Sequence, residues 1–219
     1  MPRSKYPEAT RQKILEAGVK TFQEKGYEQA TILDIVSNME GLTRGAFYHH
    51  FKSKEEVLNA ITDKLFHEQN PFELVRKEKG LNGLQKLRKA ITTNLHTNIN
   101  DEYKFLRLAG ASLINSPQFF MEHVQFNVLL TRQYVQPLIE EGVADGSMQV
   151  QDPQLTAELF IMLFNFWLLP MVFSGNEDYM ARKADLSNEI LTRLGLPLFD
   201  DELEEVGEKY ISVLANELS

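Results

Sequence analysis

Apolar positions recur at intervals of three and four along almost the whole chain, the period of a helix with one buried face, and no segment alternates as a strand would. Ile14, Leu15, Gly18, Val19 and Phe22 predict a first helix over 7–25. Gly26 stands where a left-handed residue ends a helix, with Tyr27 placed to fold back on it. Thr31 with Asp34 three residues later forms a capping-box pattern ahead of a short second helix through Ile32, Ile35 and Val36 to about Asn38. Gly41 breaks the pattern and Thr43 can cap a third helix of about two turns. In that helix Leu42, Phe47 and Phe51 form the buried stripe, and Arg44, Tyr48 and His49 fall on the other side. Gly45 lies inside it and lowers helix propensity by roughly 1 kcal/mol relative to Ala, so something bulky must approach the backbone there. Two short helices around a glycine-containing turn make a helix-turn-helix. Ser53-Lys54-Glu55-Glu56, an S-x-x-E start, opens a fourth helix through Val57, Leu58, Ile61 and Leu65.

Beyond Phe66 the pattern changes. Asn70-Pro71, Lys79-Gly80 and Asn82-Gly83 punctuate a linker, and longer helices follow. Leu84, Leu87, Ile91 and Leu95 stripe one to about Asn98; Tyr103, Leu106, Ala109 and Leu113 stripe another that ends before Asn115-Ser116-Pro117. A third runs over 117–141 through Phe120, Val124, Asn127, Leu130 and Tyr134, kinked at Pro137 and closed by Gly142 and Asp145-Gly146. Asp152-Pro153 opens an apolar helix over 153–172, and Ser174-Gly175-Asn176 ends it. A short helix over about 185–194 and a last one over 200–218, striped by Leu203, Val206, Tyr210, Val213 or Leu214 and Leu218, complete an all-α chain. The expected division is a helix-turn-helix domain over 1–52, a connecting helix and linker over 53–80, and a helical body over 81–219.

Composition narrows what such a chain can do. With 43% hydrophobic residues in 219 it can bury a large core, and with no cysteine it has neither disulfides nor thiolate chemistry. The charged start lacks the apolar segment of a secretory leader, and the fifteen-residue run Leu159–Phe173 falls short of the ~20 residues that cross a bilayer. A cytoplasmic protein with no membrane partner is expected. The net charge of −8 hides an asymmetry: residues 1–55 carry nine Lys/Arg against seven Asp/Glu, leaving fourteen against twenty-four for the rest. A mildly basic head is therefore joined to an acidic body, and only the head suits DNA.

The motifs F-x-E-K-G-Y, T-x-x-D-I and R-G-x-F-Y-x-H-F-K-S-K-E, all within about residues 10–62, resemble the DNA-binding domain of the tetracycline-repressor (TetR) family of bacterial transcriptional regulators. The spacing departs from that pattern once: one extra residue stands between Ile35 and Gly41, with Met39-Glu40 where a single small residue is usual. The resemblance implies that the third helix enters the major groove and that the first and fourth buttress it and touch phosphates. Groove chemistry then gives Arg44 a guanine or a phosphate, Thr43 and Ala46 a thymine methyl or base edge, and Tyr48, His49 and Lys54 phosphates. Thr31, Gly45 and Lys52 complete the candidate DNA-binding set.

One two-turn helix reads few base pairs, so specificity implies a homodimer on an inverted repeat. The resemblance places dimerisation in the last helices, giving Phe160, Phe164, Trp167, Leu168, Leu203, Val206, Tyr210, Val213 and Leu214 as candidates. His96, Phe105, His123, Phe126, Asn127, Tyr134, Phe164, Asn165 and Trp167 have the mixed character of a small-molecule pocket, and equally that of a helical core. Asn165, an amide within LFIMLFNFWLLP, must hydrogen-bond a ligand, a water or the other subunit. No metal-binding histidine spacing, nucleophile elbow, phosphate loop or dinucleotide fingerprint occurs, so neither an enzyme nor a cofactor is expected. The expectation is a repressor on a palindromic operator, released by an unidentified small-molecule effector; the alternative is a constitutive DNA-binding regulator whose body only dimerises or docks a partner.

Overall fold

The computed structural model describes residues 7–114 and 116–218; the first six residues of the charged start, Asn115, Ser219 and the side chains of Pro7 and Leu218 lie outside them. Among the described residues all regular structure is helical, with no strand. They form two compact units, one reaching to Asn70 and including Asp101–Ser112, the other made of Pro71–Asn100 and Leu113 onward.

The first unit holds α1 (Pro7–Lys25), α2 (Ile32–Asn38), α3 (Arg44–His50) and α4 (Lys54–Gln69) around Ile14, Phe22, Ile35, Phe47 and Val57, none of which reaches solvent. These helices match the sequence pattern because each start is set by a side chain within three residues. Thr31 and Asp34 form the full capping box, Thr43 accepts from the Ala46 N–H at 3.2 Å, and Ser53 accepts from the Glu56 N–H at 3.2 Å. The S-x-x-E start is reciprocal one residue early, since the Glu56 carboxylate accepts from the Lys52 N–H at 2.7 Å rather than from Ser53. The first unit also takes in most of α7 (Lys104–Leu113). Its buried positions are Phe105, Arg107 and Ala109, with Leu106 and Leu113 only half-buried, so the expected stripe is rotated. The Phe105 ring stacks against Phe22, 6.3 Å between centroids.

The second unit is built on α6 (Gly83–Ile99), started by a capping box of Asn82 and Gln85. The expected linker contains a helix, α5 (Pro71–Arg76), which buries Phe72 and Val75. A Pro start and two apolar side chains three apart suffice to fold six residues once α6 covers them. From Pro117 the chain stays helical to Ala144, as α8 (Pro117–Leu130), a π-helical turn (Thr131–Val135) and α9 (Gln136–Ala144). The wide turn is the form the expected Pro137 kink takes: proline lacks an N–H and its ring would meet the Gln133 carbonyl, and five-residue pairing of Gln136 N–H with Thr131 O makes room. The α9 end docks on the start of α6, where Gly83 and Gly142 touch backbone to backbone; a Cβ on Gly83 would lie 2.2 Å from the Gly142 nitrogen. Asp145 accepts from the Gly83 N–H at 2.7 Å, and Lys86 pairs with Glu141 at 2.5 Å.

The expected 153–172 helix is shorter. α10 (Pro153–Met162) passes into a second π-turn (Leu163–Trp167) capped by Leu168, because the residue before Pro170 is driven out of helical conformation. The next helix, α11 (Glu177–Arg193), starts eight residues earlier than expected, on an Asn176 cap. α12 (Asp201–Leu218) packs on α6. No described helix is long and apolar enough to cross a membrane.

Candidate nucleic-acid interface

The helix-turn-helix is held rigid by contacts that begin in α1. Asn38 donates to the Thr21 hydroxyl at 2.9 Å, and Lys25 pairs with Asp34 at 2.5 Å. The Lys25 ammonium and the Thr31 hydroxyl and N–H hold Asp34 down from the ordinary 3.8 to about 2. Between α2 and α3, Met39 is buried and accepts from the Leu42 N–H at 3.2 Å, while Gly41 takes φ +73°, open to glycine at no steric cost. The extra residue of the turn is thus absorbed by burying Met39 and leaving Glu40 in solvent.

α3 then presents two faces. Phe47 is fully buried and Phe51 nearly so, with Leu42 half-buried behind them. Thr43, Arg44, Gly45, Tyr48 and His49 are exposed and Ala46 half-exposed. The Arg44 guanidinium lies 5.4 Å from the centre of the Tyr48 ring, one helical turn on, so the two side chains form a stacked pair before any partner arrives. Nothing but the Thr43 hydroxyl, at 3.6 Å, approaches the space above Gly45. The fold itself would tolerate a side chain there. His50, half-buried beside Arg11, is held below the ordinary histidine value by burial first and by its cationic neighbours second.

Two expected DNA contacts look inward. The Lys54 ammonium donates to the carbonyls of Tyr27, Glu28 and Ala30 at 2.9, 3.2 and 3.1 Å and lies 4.5 Å from the Tyr27 ring centre. All three donors are used in these contacts, through which Lys54 ties the start of α4 to the α1–α2 turn. Tyr27, unnoticed as a partner in the sequence, also donates to Glu55 at 2.9 Å, and burial together with that carboxylate pushes its hydroxyl well above the ordinary range. The Thr31 hydroxyl donates to Asp34 and accepts from its N–H, so it is a helix cap first. Lys52 is exposed beside α3.

The pocket candidates fall in both units. His96 is exposed on α6, and Phe105 belongs to the core of the first unit. Tyr134 packs on Phe72 at 5.7 Å and Phe164 on Phe160 at 4.5 Å, while Phe126 is half-buried. Three candidates do meet. Asn165 donates to the Asn127 side chain at 2.5 Å, Asn127 donates to the His123 carbonyl at 2.9 Å, and its amide lies 3.1 Å from the His123 ring nitrogen. The partner required by Asn165 is therefore Asn127 of the same chain, across two π-turned helices. Of the dimer candidates, Phe160, Leu203, Val206 and Leu214 are buried within the subunit, and Leu168, Tyr210 and Val213 are half-buried. Trp167 faces Lys183.

Residues 14–61 match the family model of bacterial regulatory proteins of the tetR family, and residues 82–190 match that of the AefR-like transcriptional repressor C-terminal domain. The KstR2 transcriptional repressor of Mycolicibacterium smegmatis is 30% identical over 162 residues, covering 70% of this chain and 73% of that one. The chain belongs to the TetR family. It is accordingly a DNA-binding transcription regulator and not an enzyme. The TetR-family likeness extends to YhgD of Bacillus subtilis, 26% identical over 69% of this chain and 78% of that one. SrpR of Pseudomonas putida is 45% identical over 67 residues, or 31% of this chain and 30% of that one. Among solved structures, a TetR-family regulator from Pectobacterium atrosepticum superposes with a TM-score of 0.63 at 22% identity, covering 89% of this chain and 98% of that one, a likeness of fold.

Proposed function

We propose that this TetR-family regulator is a cytoplasmic repressor that binds an inverted-repeat operator as a homodimer and is released by a small molecule. The observation that carries the reading is α3: a helix pinned by Phe47 and Phe51 that offers Arg44, Gly45, Tyr48 and His49 outward, with nothing of the fold filling the space over Gly45. Arg44 reads a base edge and Tyr48 and His49 hold phosphates. The dimer surface is carried by α10 and α11. Leu155 and Met162, two turns apart on α10, are 60% and 55% exposed, and Leu186 on α11 is 45% exposed. Large apolar side chains left in water at helical spacing support a partner helix of the same kind. An effector in the body over 80–180 favours one of two states, with the bias carried through α4, and it acts only by binding those states unequally.

A constitutive regulator is the second reading, favoured by the hydrogen bond between Asn165 and Asn127 and the stacking of Phe160 on Phe164. Anisotropy of a labelled operator duplex, titrated with the protein and then with a small-molecule library, separates the two. Release by at least one compound supports the sensor, and an operator affinity that no compound changes supports the constitutive form.

A further inference from the structure

Lys183 is 4% exposed on α11, and among the described residues no carboxylate lies within ion-pairing distance of its ammonium. The ammonium donates to the Trp167 carbonyl and is surrounded by three rings, with centroids 5.2 Å (Trp167), 5.1 Å (Phe173) and 5.6 Å (Tyr179) away. An aromatic cage holding a cation is a recognition device for organic ammonium groups, and here the chain's own lysine fills it.

The rings stand back from that lysine, whose ammonium is held by the Trp167 carbonyl. Lys54 over Tyr27 in the first unit sits at 4.5 Å, whereas all three distances at Lys183 are longer. Carbon–carbon contact at about 3.5–4.0 Å plus an N–C bond of about 1.5 Å puts a methylated nitrogen roughly 5–5.5 Å from a ring. The spacing therefore suits N-methyl groups better than a bare ammonium. Hydration separates the two further: a primary ammonium is strongly hydrated and loses much on burial, and burial holds Lys183 below the ordinary lysine value. A quaternary ammonium, with no N–H to hydrate, loses less. The cage also opens outward, since Phe173 is 50% and Tyr179 38% exposed, and the four-carbon stem of Lys183 can swing its charge back into water.

We propose that the Trp167–Phe173–Tyr179 cage is a binding site for a quaternary ammonium group, held closed by Lys183 acting as a displaceable internal ligand. The proposal names the effector class of the ligand-released reading and rests on that reading only for its effect on DNA. Trp167 is the only tryptophan in the chain, so its emission reports cage occupancy directly. The test titrates choline, and 3,3-dimethylbutan-1-ol as its uncharged isostere, into the full-length protein without DNA. Choline should give a saturable change in emission that the alcohol does not, and Lys183→Ala or Lys183→Met, by removing the competitor, should tighten choline binding at least about tenfold. Phe173→Ala should weaken it by a comparable factor. No saturable response in the native chain or in a folded Lys183 variant, or equal responses to choline and the alcohol, would overturn the proposal. The native chain gives the same contrast at weaker affinity, so failure of both variants to fold leaves the test standing. A chain that binds the operator but gives no choline response sinks the cage alone; loss of all operator binding sinks the regulator reading and leaves the emission measurement intact.

Discussion

Lys54 and Arg44 are both cations beside the recognition helix, yet their donors have different fates. Lys54 gives all three to carbonyls of the α1–α2 turn, whereas Arg44 is stacked on Tyr48 with its guanidinium in solvent. Lys54→Met should therefore lower unfolding free energy by roughly 2 kcal/mol, the scale of hydrogen bonds from a charged group, and leave the slope of log affinity against log salt unchanged. A slope smaller by about 1, with stability intact, would return Lys54 to the phosphates. Asp34 sets a pH signature. Its carboxylate is held at about 2 against an ordinary 3.8, so the stability it contributes is present above 3.8 and is lost as pH falls through about 2. In thermal melts the gap between the native chain and Asp34→Asn should be open at neutral pH and close over that acid window; a gap independent of pH would contradict the Lys25–Asp34 contact. Local chemistry of this kind was legible in the sequence where partners stand three residues apart, as at Thr31, Thr43 and Ser53. The Lys54 carbonyls and the Phe105–Phe22 stack were not, because no periodicity records which distant turn or ring a side chain will reach.

Helices were legible wherever an apolar stripe coincided with a cap, which is why α1 to α4 follow the sequence pattern closely. The failures share a cause: a stripe says that a face is buried and not against what. α12 has the spacing of an intersubunit seam, yet Leu203, Val206 and Leu214 are buried within the subunit, where α12 packs on α6. Leu203→Ala should accordingly cost about 2–5 kcal/mol of stability, as for other buried leucines, and leave the dimer dissociation constant unchanged in sedimentation. A weakened dimer with unaltered stability would restore the seam. Proline gave a second limit. Pro137 announced a kink and Pro170 was read through, and the sequence could not say that wide π-turns would precede both, nor that these would bring Asn127 and Asn165 to 2.5 Å.

At the scale of the whole molecule, dimerisation should respond to the exposed face of α10. A carboxylate buried in an apolar seam lacks a partner, so Met162→Glu or Leu155→Glu should yield a monomer at micromolar concentration with its helical content intact and its operator affinity lowered at least about a hundredfold. A dimer that persists in both variants would move the interface elsewhere. The proposed repressor depends on α3 reading sequence from a symmetric pair of heads. The most direct measurement is selection of bound duplexes from random DNA by the full-length native chain and by Arg44→Ala in parallel. The native chain should enrich an inverted repeat, and Arg44→Ala should lose or change the preferred base at one symmetric position while keeping the spacing. Enrichment of no sequence, or the same inverted repeat for both proteins with equal losses on cognate and random DNA, would contradict readout by Arg44.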